Sequence, residues 1–166
     1  GSAMFDIDYT ADILIDNRFS LVAGGNGYGN QLNQLSSPDK VIVDNEGNTL
    51  ILETDNRRIV KWSEGDSEGE IFYEGSGSNN PNSLEKDKSG RIYVITNSWD
   101  NIKVFNPDGT TSEINFTGIT GTYEDMFVEE EEGVVSIYLL YSSALWRLRD
   151  GELKRISELG GYGLSS

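Results

Sequence analysis

The amino-acid sequence predicts an all-β fold, a β-propeller of four-stranded antiparallel blades, and two observations carry that prediction. Three copies of one 43-residue unit run along the chain: Gly47, Gly90 and Gly133 lie 43 residues apart, as do Ile59, Ile102 and Leu145, and Gly75, Gly118 and Gly161. A period in this range, made of short apolar strands and glycine turns, is the pattern of propeller blades. No segment shows a 3.6-residue apolar period and the connections are short, so almost no helix is expected.

The first unit shows how a blade is written. Lys40 to Val43 alternates as a strand and runs into Asp44-Asn45-Glu46-Gly47, where the glycine can take the positive φ of a tight turn. Thr49 to Leu52 is a second, more apolar strand, and a polar link from Glu53 to Arg57 leads into a third at Arg58 to Trp62. A turn over Ser63 to Gly69 returns the chain along Glu70 to Tyr73. The second unit repeats this order with strands at Asn82–Glu85, Arg91–Thr96, Asn101–Asn106 and Ser112–Phe116. In the third, the strands fall at Asp125–Val128, Val134–Leu140, Ala144–Arg149 and Leu153–Ser157. Asp44, Asp87 and Glu130 occupy matching turn positions.

The segments Pro38-Asp39-Lys40-Val41-Ile42-Val43-Asp44, Gly47, Leu50-Ile51-Leu52 and Asn56-Arg57-Arg58-Ile59 resemble the NHL repeat. The run Val22 to Gly29 is similar to the glycine-rich link between blades in that family. The second unit matches less closely, with Trp99-Asp100-Asn101-Ile102 where Asn56 to Ile59 stand, and the third keeps only the strands and turns. Glu53 stands where the family pattern has Asp. The resemblance implies a propeller over residues 20–166, but its functional implication is broad. The family includes protein-binding, RNA-binding and enzymatic members.

Full blades are expected over residues 38–75, 81–118 and 124–161, with a partial N-terminal blade over 5–24 and a cloning remnant at Gly1 to Met4. Propellers close with about four to eight blades, so three full units fall short of a ring. Leu164-Ser165-Ser166 lies three repeats after Leu35-Ser36-Ser37, where a next blade would begin. Three arrangements fit: a piece of a longer propeller, a self-contained four-bladed ring, or pairing of two copies. The expectation taken here is a homo-oligomer formed through open blade edges, because an uncovered edge invites association.

With 166 residues and 36% hydrophobic content, one domain is the default. No run of about 18 apolar residues is present. The formal charge of -15 repels phosphate backbones and anionic lipid, so neither nucleic acid nor membrane is an expected partner. The chain has no cysteine and no histidine, which removes thiol chemistry and the commonest metal ligand and proton shuttle. No metal site, no cofactor and no catalytic residue are expected. The oxygen-rich turns Asp44 to Asn48 and Asp108-Gly109 lack the ligand spacing of a calcium loop.

Links between second and third strands should emerge on the same face as the links between blades, and loops on such a face are where binding residues concentrate. That face gathers the candidate ligand-binding residues Tyr28, Asn56, Arg57, Trp99, Asp100 and Tyr141. The segment Gly24 to Ser37 is the main departure from the period, since Gly25 to Pro38 spans 13 residues where Gly75 to Pro81 spans six. A binding loop over the face is one reading of this insertion, and packing beside a blade through Leu32 and Leu35 is the other. The function expected is a non-catalytic module that recognises a protein or peptide through aromatic anchors. Two alternatives stand: a glycan-binding propeller turning on Trp99, and an enzyme resembling the propeller lyases, lactonases and glycoside-acting hydrolases.

Overall fold

The computed structural model describes residues 20–158 except Ser98, Trp99, Thr120 and Ser143. The expected partial blade over 5–24 therefore lies mostly outside the described residues, as do Gly161 and the chain end. Twelve strands form three separate four-stranded sheets, and no helix occurs among the described residues. The first blade is β1 (Pro38–Val43), β2 (Thr49–Glu53), β3 (Arg58–Trp62) and β4 (Glu70–Glu74). The second is β5 (Pro81–Lys86), β6 (Ile92–Thr96), β7 (Asn101–Phe105) and β8 (Thr111–Asn115). The third is β9 (Tyr123–Glu131), β10 (Val134–Tyr141), β11 (Ala144–Arg149) and β12 (Glu152–Glu158). Each sheet is an antiparallel meander in sequence order, and β1, β5 and β9 lie side by side as the innermost strands.

Because blades stack face to face, a central strand meets a neighbour on both sides, and its residues are apolar without alternation. In β2, Leu50, Ile51 and Leu52 are all buried, as are Ile92 to Thr96 along the whole of β6. Leu50, Leu52 and Ile59 of the first blade pack with Leu84, Ile92 and Val94 of the second. Tyr93, Ile95, Ile102 and Val104 then pack against Met126, Val128, Ile137 and Leu139 of the third. The opposite face of the first blade presents Ile51, Val60 and Trp62, covered by Ala23 and Leu35. The long segment before Pro38 thus packs beside the first blade through Leu35, and its residues from Tyr28 to Ser37 also reach the link between β2 and β3. The amide of Gly69 donates to the carbonyl of Leu32 at 2.9 Å, fixing the segment to the β3–β4 turn.

The third blade departs from the repeat in register. Leu84 pairs with Val94, and the 43-residue spacing would give Phe127 the direction of Leu84. Instead Met126 pairs with Leu139 and enters the core, while Phe127 pairs with Tyr138 on the other side of the sheet. A slip of one residue reverses every side chain of a strand. Here it comes from the bulge in β9, which falls between Tyr123 and Asp125. The earlier bulges fall between Pro38 and Lys40 and between Pro81 and Ser83. The hairpins differ too. Asp44 and Asp87 each receive the amide four residues on, Asn48 N at 2.8 Å and Arg91 N at 2.9 Å. Glu130 does not share that role, contrary to expectation: it lies within β9, opposite Val135. Its turn is the two-residue Glu132-Gly133, both with positive φ (49° and 80°), a conformation that glycine adopts without strain. The Glu130 carboxylate instead receives Ser89 N at 2.9 Å and Ser89 Oγ at 2.7 Å, joining the turns of two blades.

The innermost strands meet at one lysine. Lys40 Nζ of β1 donates to Ser83 Oγ at 3.2 Å and pairs with Glu85 Oε1 at 2.8 Å on β5 and with Asp125 Oδ1 at 2.9 Å on β9. Burial works against the charged ammonium, but the hydrogen bonds to Glu85 and Asp125 outweigh it and hold the Lys40 pKa above its ordinary 10.5. Replacement by methionine keeps the aliphatic stem and leaves two carboxylates facing each other. Lys40→Met is expected to destabilise the fold by about 1–3 kcal/mol, read as a lower urea midpoint at unchanged slope. A pKa raised by folding gives stability that is full below the unfolded value and is lost as pH rises through the folded one. The deficit of the variant should accordingly shrink above pH 10.5.

Candidate functional site

The face of the strand links is assembled by backbone bonds that recur from blade to blade. The residue after each second strand donates to the carbonyl just before the innermost strand: Thr54 to Ser37 at 3.2 Å, Asn97 to Asn80 at 2.9 Å, and Ser142 to Thr122 at 2.9 Å. The last residue of the link between second and third strands accepts from the segment beyond the fourth, Gly75 to Arg57 at 2.8 Å and Phe116 to Asp100 at 2.9 Å. The link loops and the interblade segments are thus one hydrogen-bonded layer, on the face where the sequence places them.

Under the first blade's part of this layer lies a buried ion pair. Glu53 ends β2, Arg58 begins β3, and the two stand opposite each other in the ladder, both buried. Arg58 Nε donates to Glu53 Oε2 at 2.6 Å, and its remaining nitrogens donate to the carbonyls of Asn30 at 2.7 Å and Gln31 at 3.0 Å. The other carboxylate oxygen receives Ser36 N at 2.7 Å and Asn56 Nδ2 at 2.9 Å. Asn56 also donates to the carbonyl of Gly29 at 2.9 Å. A buried charge pair is tolerable when its remaining hydrogen-bonding sites are filled. Here they are filled by the long segment, which is thereby clamped to the blade.

Above the clamp, Asp55 gathers three hydroxyls: Ser37 Oγ at 2.6 Å, Tyr28 OH at 2.7 Å and Ser36 Oγ at 3.4 Å. The bonds from Ser37 and Tyr28 hold its pKa below the usual carboxylate value. Tyr28 is 73% exposed, so its ring stands in solvent with its hydroxyl tethered. Arg57 is exposed beside it, with φ at +55° in the left-handed region that few non-glycine residues occupy. Its carbonyl takes the bond from Gly75 and holds that conformation in place.

The structure brings the candidates into two groups. Tyr28, Asn56 and Arg57 belong to the first blade and its covering segment, while Asp100 and Tyr141 meet at the junction of the second and third blades. Trp99 lies outside the described residues. Asn56 is half-buried with its amide turned inward to Glu53 and Gly29, so it positions the loop below the surface. Tyr141 is buried, edge-on to Tyr123 with ring centroids 5.7 Å apart. Burial, and then the charge of Asp100, push the Tyr141 phenol up to about 12. Asp100 itself is exposed. The hub role of Asp55 and the Lys40–Glu85–Asp125 cluster were missed in the candidate set. The signal available for the second was a lysine and a serine, Lys40 and Ser83, one full repeat apart on strands that must converge. Among the described residues no group of three or more Asp or Glu side chains is placed to hold a metal ion.

No protein-family model matches the chain, and no curated protein matches it. Solved structures do. Virginiamycin B lyase from Staphylococcus aureus superposes with a TM-score of 0.59 at 16% identity, over 80% of this chain and 45% of the lyase. The extracellular domain of a one component system from B. thetaiotaomicron gives 0.55 at 22% identity, over 73% of this chain and 16% of that one. YCF48 from Cyanidioschyzon merolae gives 0.53 at 15% identity, over 82% and 44%. The chain spans less than half the length of each of these proteins. At these identities the likeness concerns the fold alone, and the fold is a β-propeller whose described residues form three open, four-stranded blades.

Two outcomes test this geometry. Arg58→Met should cost about 3–5 kcal/mol in chemical denaturation, because it strands the Glu53 carboxylate in the interior; a loss below about 1 kcal/mol would mean that solvent reaches the pair. In an ultraviolet phenolate titration, Tyr141→Phe should remove a late-titrating tyrosine, and Asp100→Asn should bring that step to lower pH. The folded pKa exceeds the ordinary 10.0, so stability is full below that pH and falls as pH climbs toward about 12.

Proposed function

We propose that the chain is a non-catalytic, NHL-type β-propeller module that binds a protein or peptide partner through the link face. The observation that carries this reading is Tyr28: an exposed aromatic ring, tethered by Asp55 and mounted on a segment that a buried ion pair clamps in place. A ring held this way loses little side-chain freedom on binding, which is what makes aromatic residues effective anchors. Arg57 and Asp100 add one charge of each sign on the same face. Asn56 and Tyr141 serve as supports from below, and Trp99 is the further candidate contact on the second blade. The ligand class is a polypeptide, with a glycan as the variant in which Trp99 supplies the stacking surface.

An enzymatic reading draws its support from the likeness to virginiamycin B lyase. A histidine-to-alanine variant of that lyase, solved with quinupristin, is catalytically inactive. This chain has no histidine, which favours binding over that chemistry.

The test is selection of linear peptides from a random phage-displayed library on the wild-type chain, followed by calorimetry with the selected peptides. Tyr28→Ala and Arg57→Ala should each weaken binding by about 30-fold, the effect of losing an interface anchor. Selected peptides that bind both variants as tightly as wild type would place recognition elsewhere. Turnover of quinupristin, a lactone or an oligosaccharide would replace the binding reading with the enzymatic one.

A further inference from the structure

Among the described residues, two sheet faces are left uncovered after the blades have packed against each other. The outward face of the third blade carries Phe127 (57% exposed) and Leu140 (44% exposed), with Tyr138 and Leu145 half-buried between them. The outward face of the first blade carries Val41 (60% exposed) and Val43, and Leu21 and Val22 of the covering segment are exposed beside them. There a cleft of about 370 Å³ runs between Leu21, Val22, Leu35, Val41 and Ile51.

These faces are related as lock and key by the repeat itself. Ile42 pairs with Leu50 as Glu85 pairs with Tyr93 and Phe127 with Tyr138, so Phe127 occupies in the third blade the place of Ile42 in the first. Val41 pairs with Ile51 as Leu84 pairs with Val94, so Val41 occupies the place of Leu84. At the junction of the first and second blades, Ile42 and Leu84 lie in one apolar cluster. The charges are also complementary. On the side of Tyr138 the outer strands of the third blade carry Arg147, Arg149 and Lys154, and the β3–β4 turn of the first blade carries Glu64, Asp66 and Glu68.

We propose that a second copy of this chain covers both faces: the outward face of each third blade seats on the outward face of the partner's first blade, closing a two-fold ring. Two copies of the three described blades supply six, inside the range of about four to eight at which propellers close. A head-to-tail contact between unlike faces produces a finite assembly when its rotation closes. Closure would bring the inner strands of both copies, each with its Lys40 cluster, around one channel.

The absence of native cysteine allows a direct test. Sedimentation equilibrium at micromolar concentration should give twice the chain mass of 18.4 kDa, and Phe127→Asp should return it toward the single mass with its far-ultraviolet circular dichroism intact. Val41→Cys and Phe127→Cys chains, mixed and mildly oxidised, should form a disulfide-linked pair that neither variant forms alone. A single-chain mass at every concentration would overturn the proposal and assign these faces to other parts of the same chain, residues 1–19 first. A double mass in which Phe127→Cys links to itself, or in which the mixture gives no link, would overturn the pairing of unlike faces.

Discussion

The packing of sheet against sheet is the constraint on which the rest of this molecule depends. A four-stranded blade has two faces and no interior of its own, so its stability is borrowed from its neighbours. This is why Leu50, Ile51 and Leu52 are consecutive and buried, and why Ile92 to Thr96 are buried to the last residue. Burial at about 25 cal/mol per Å² is non-directional, and by itself it would let blades slide over one another. Directional bonds remove that freedom at the two ends of the stack. On the hairpin side, Lys86 reaches Asn45 and Glu130 reaches Ser89, each across a blade junction. At the centre, Lys40 joins all three inner strands with bonds whose geometry admits one arrangement.

The same division between apolar packing and polar fixing separates what the sequence reveals from what it hides. Strand positions were legible because the alternation of β1 and the continuous apolar runs of β2 and β6 report how many faces each strand buries. The register of the third blade was not. Gly133 keeps its spacing from Gly90, yet it sits in a two-residue turn, and the strands beside it lengthen to nine and eight residues. The bulge in β9 falls one residue earlier against the repeat, and the β10–β11 link is correspondingly short, so the two changes largely offset in the chain count. A spacing taken from glycines alone is blind to offsetting shifts of this kind.

The link face was legible as a location, since links on one side of a meander must emerge together. Individual roles on it were less so. Asn56 and Tyr28 are both polar-capable residues in loop contexts, but one has its amide drawn inward by a buried carboxylate and the other has its ring held outward by an exposed one. The sequence hint was Glu53: an acid closing an apolar strand requires a partner, and Arg58 lies directly across the hairpin. Pairing of that sort turns a long, glycine-rich segment into part of a rigid surface, and the exposed side chains on it inherit that rigidity.

The two tight turns of the third blade, Glu132-Gly133 and Asp150-Gly151, bear on how the chain comes to order itself. Closing a loop costs entropy that grows with its length, by about 0.6 kcal/mol for each doubling. Those hairpins close over two residues, whereas the first blade spans Asp44 to Asn48 between β1 and β2 and Thr54 to Arg57 between β2 and β3. The copy that has drifted furthest from the repeat is therefore the one in which local pairing forms at the least entropic cost, and in which contacts near in sequence outweigh distant ones. On loop entropy alone, the third blade is the one whose hairpins close most readily.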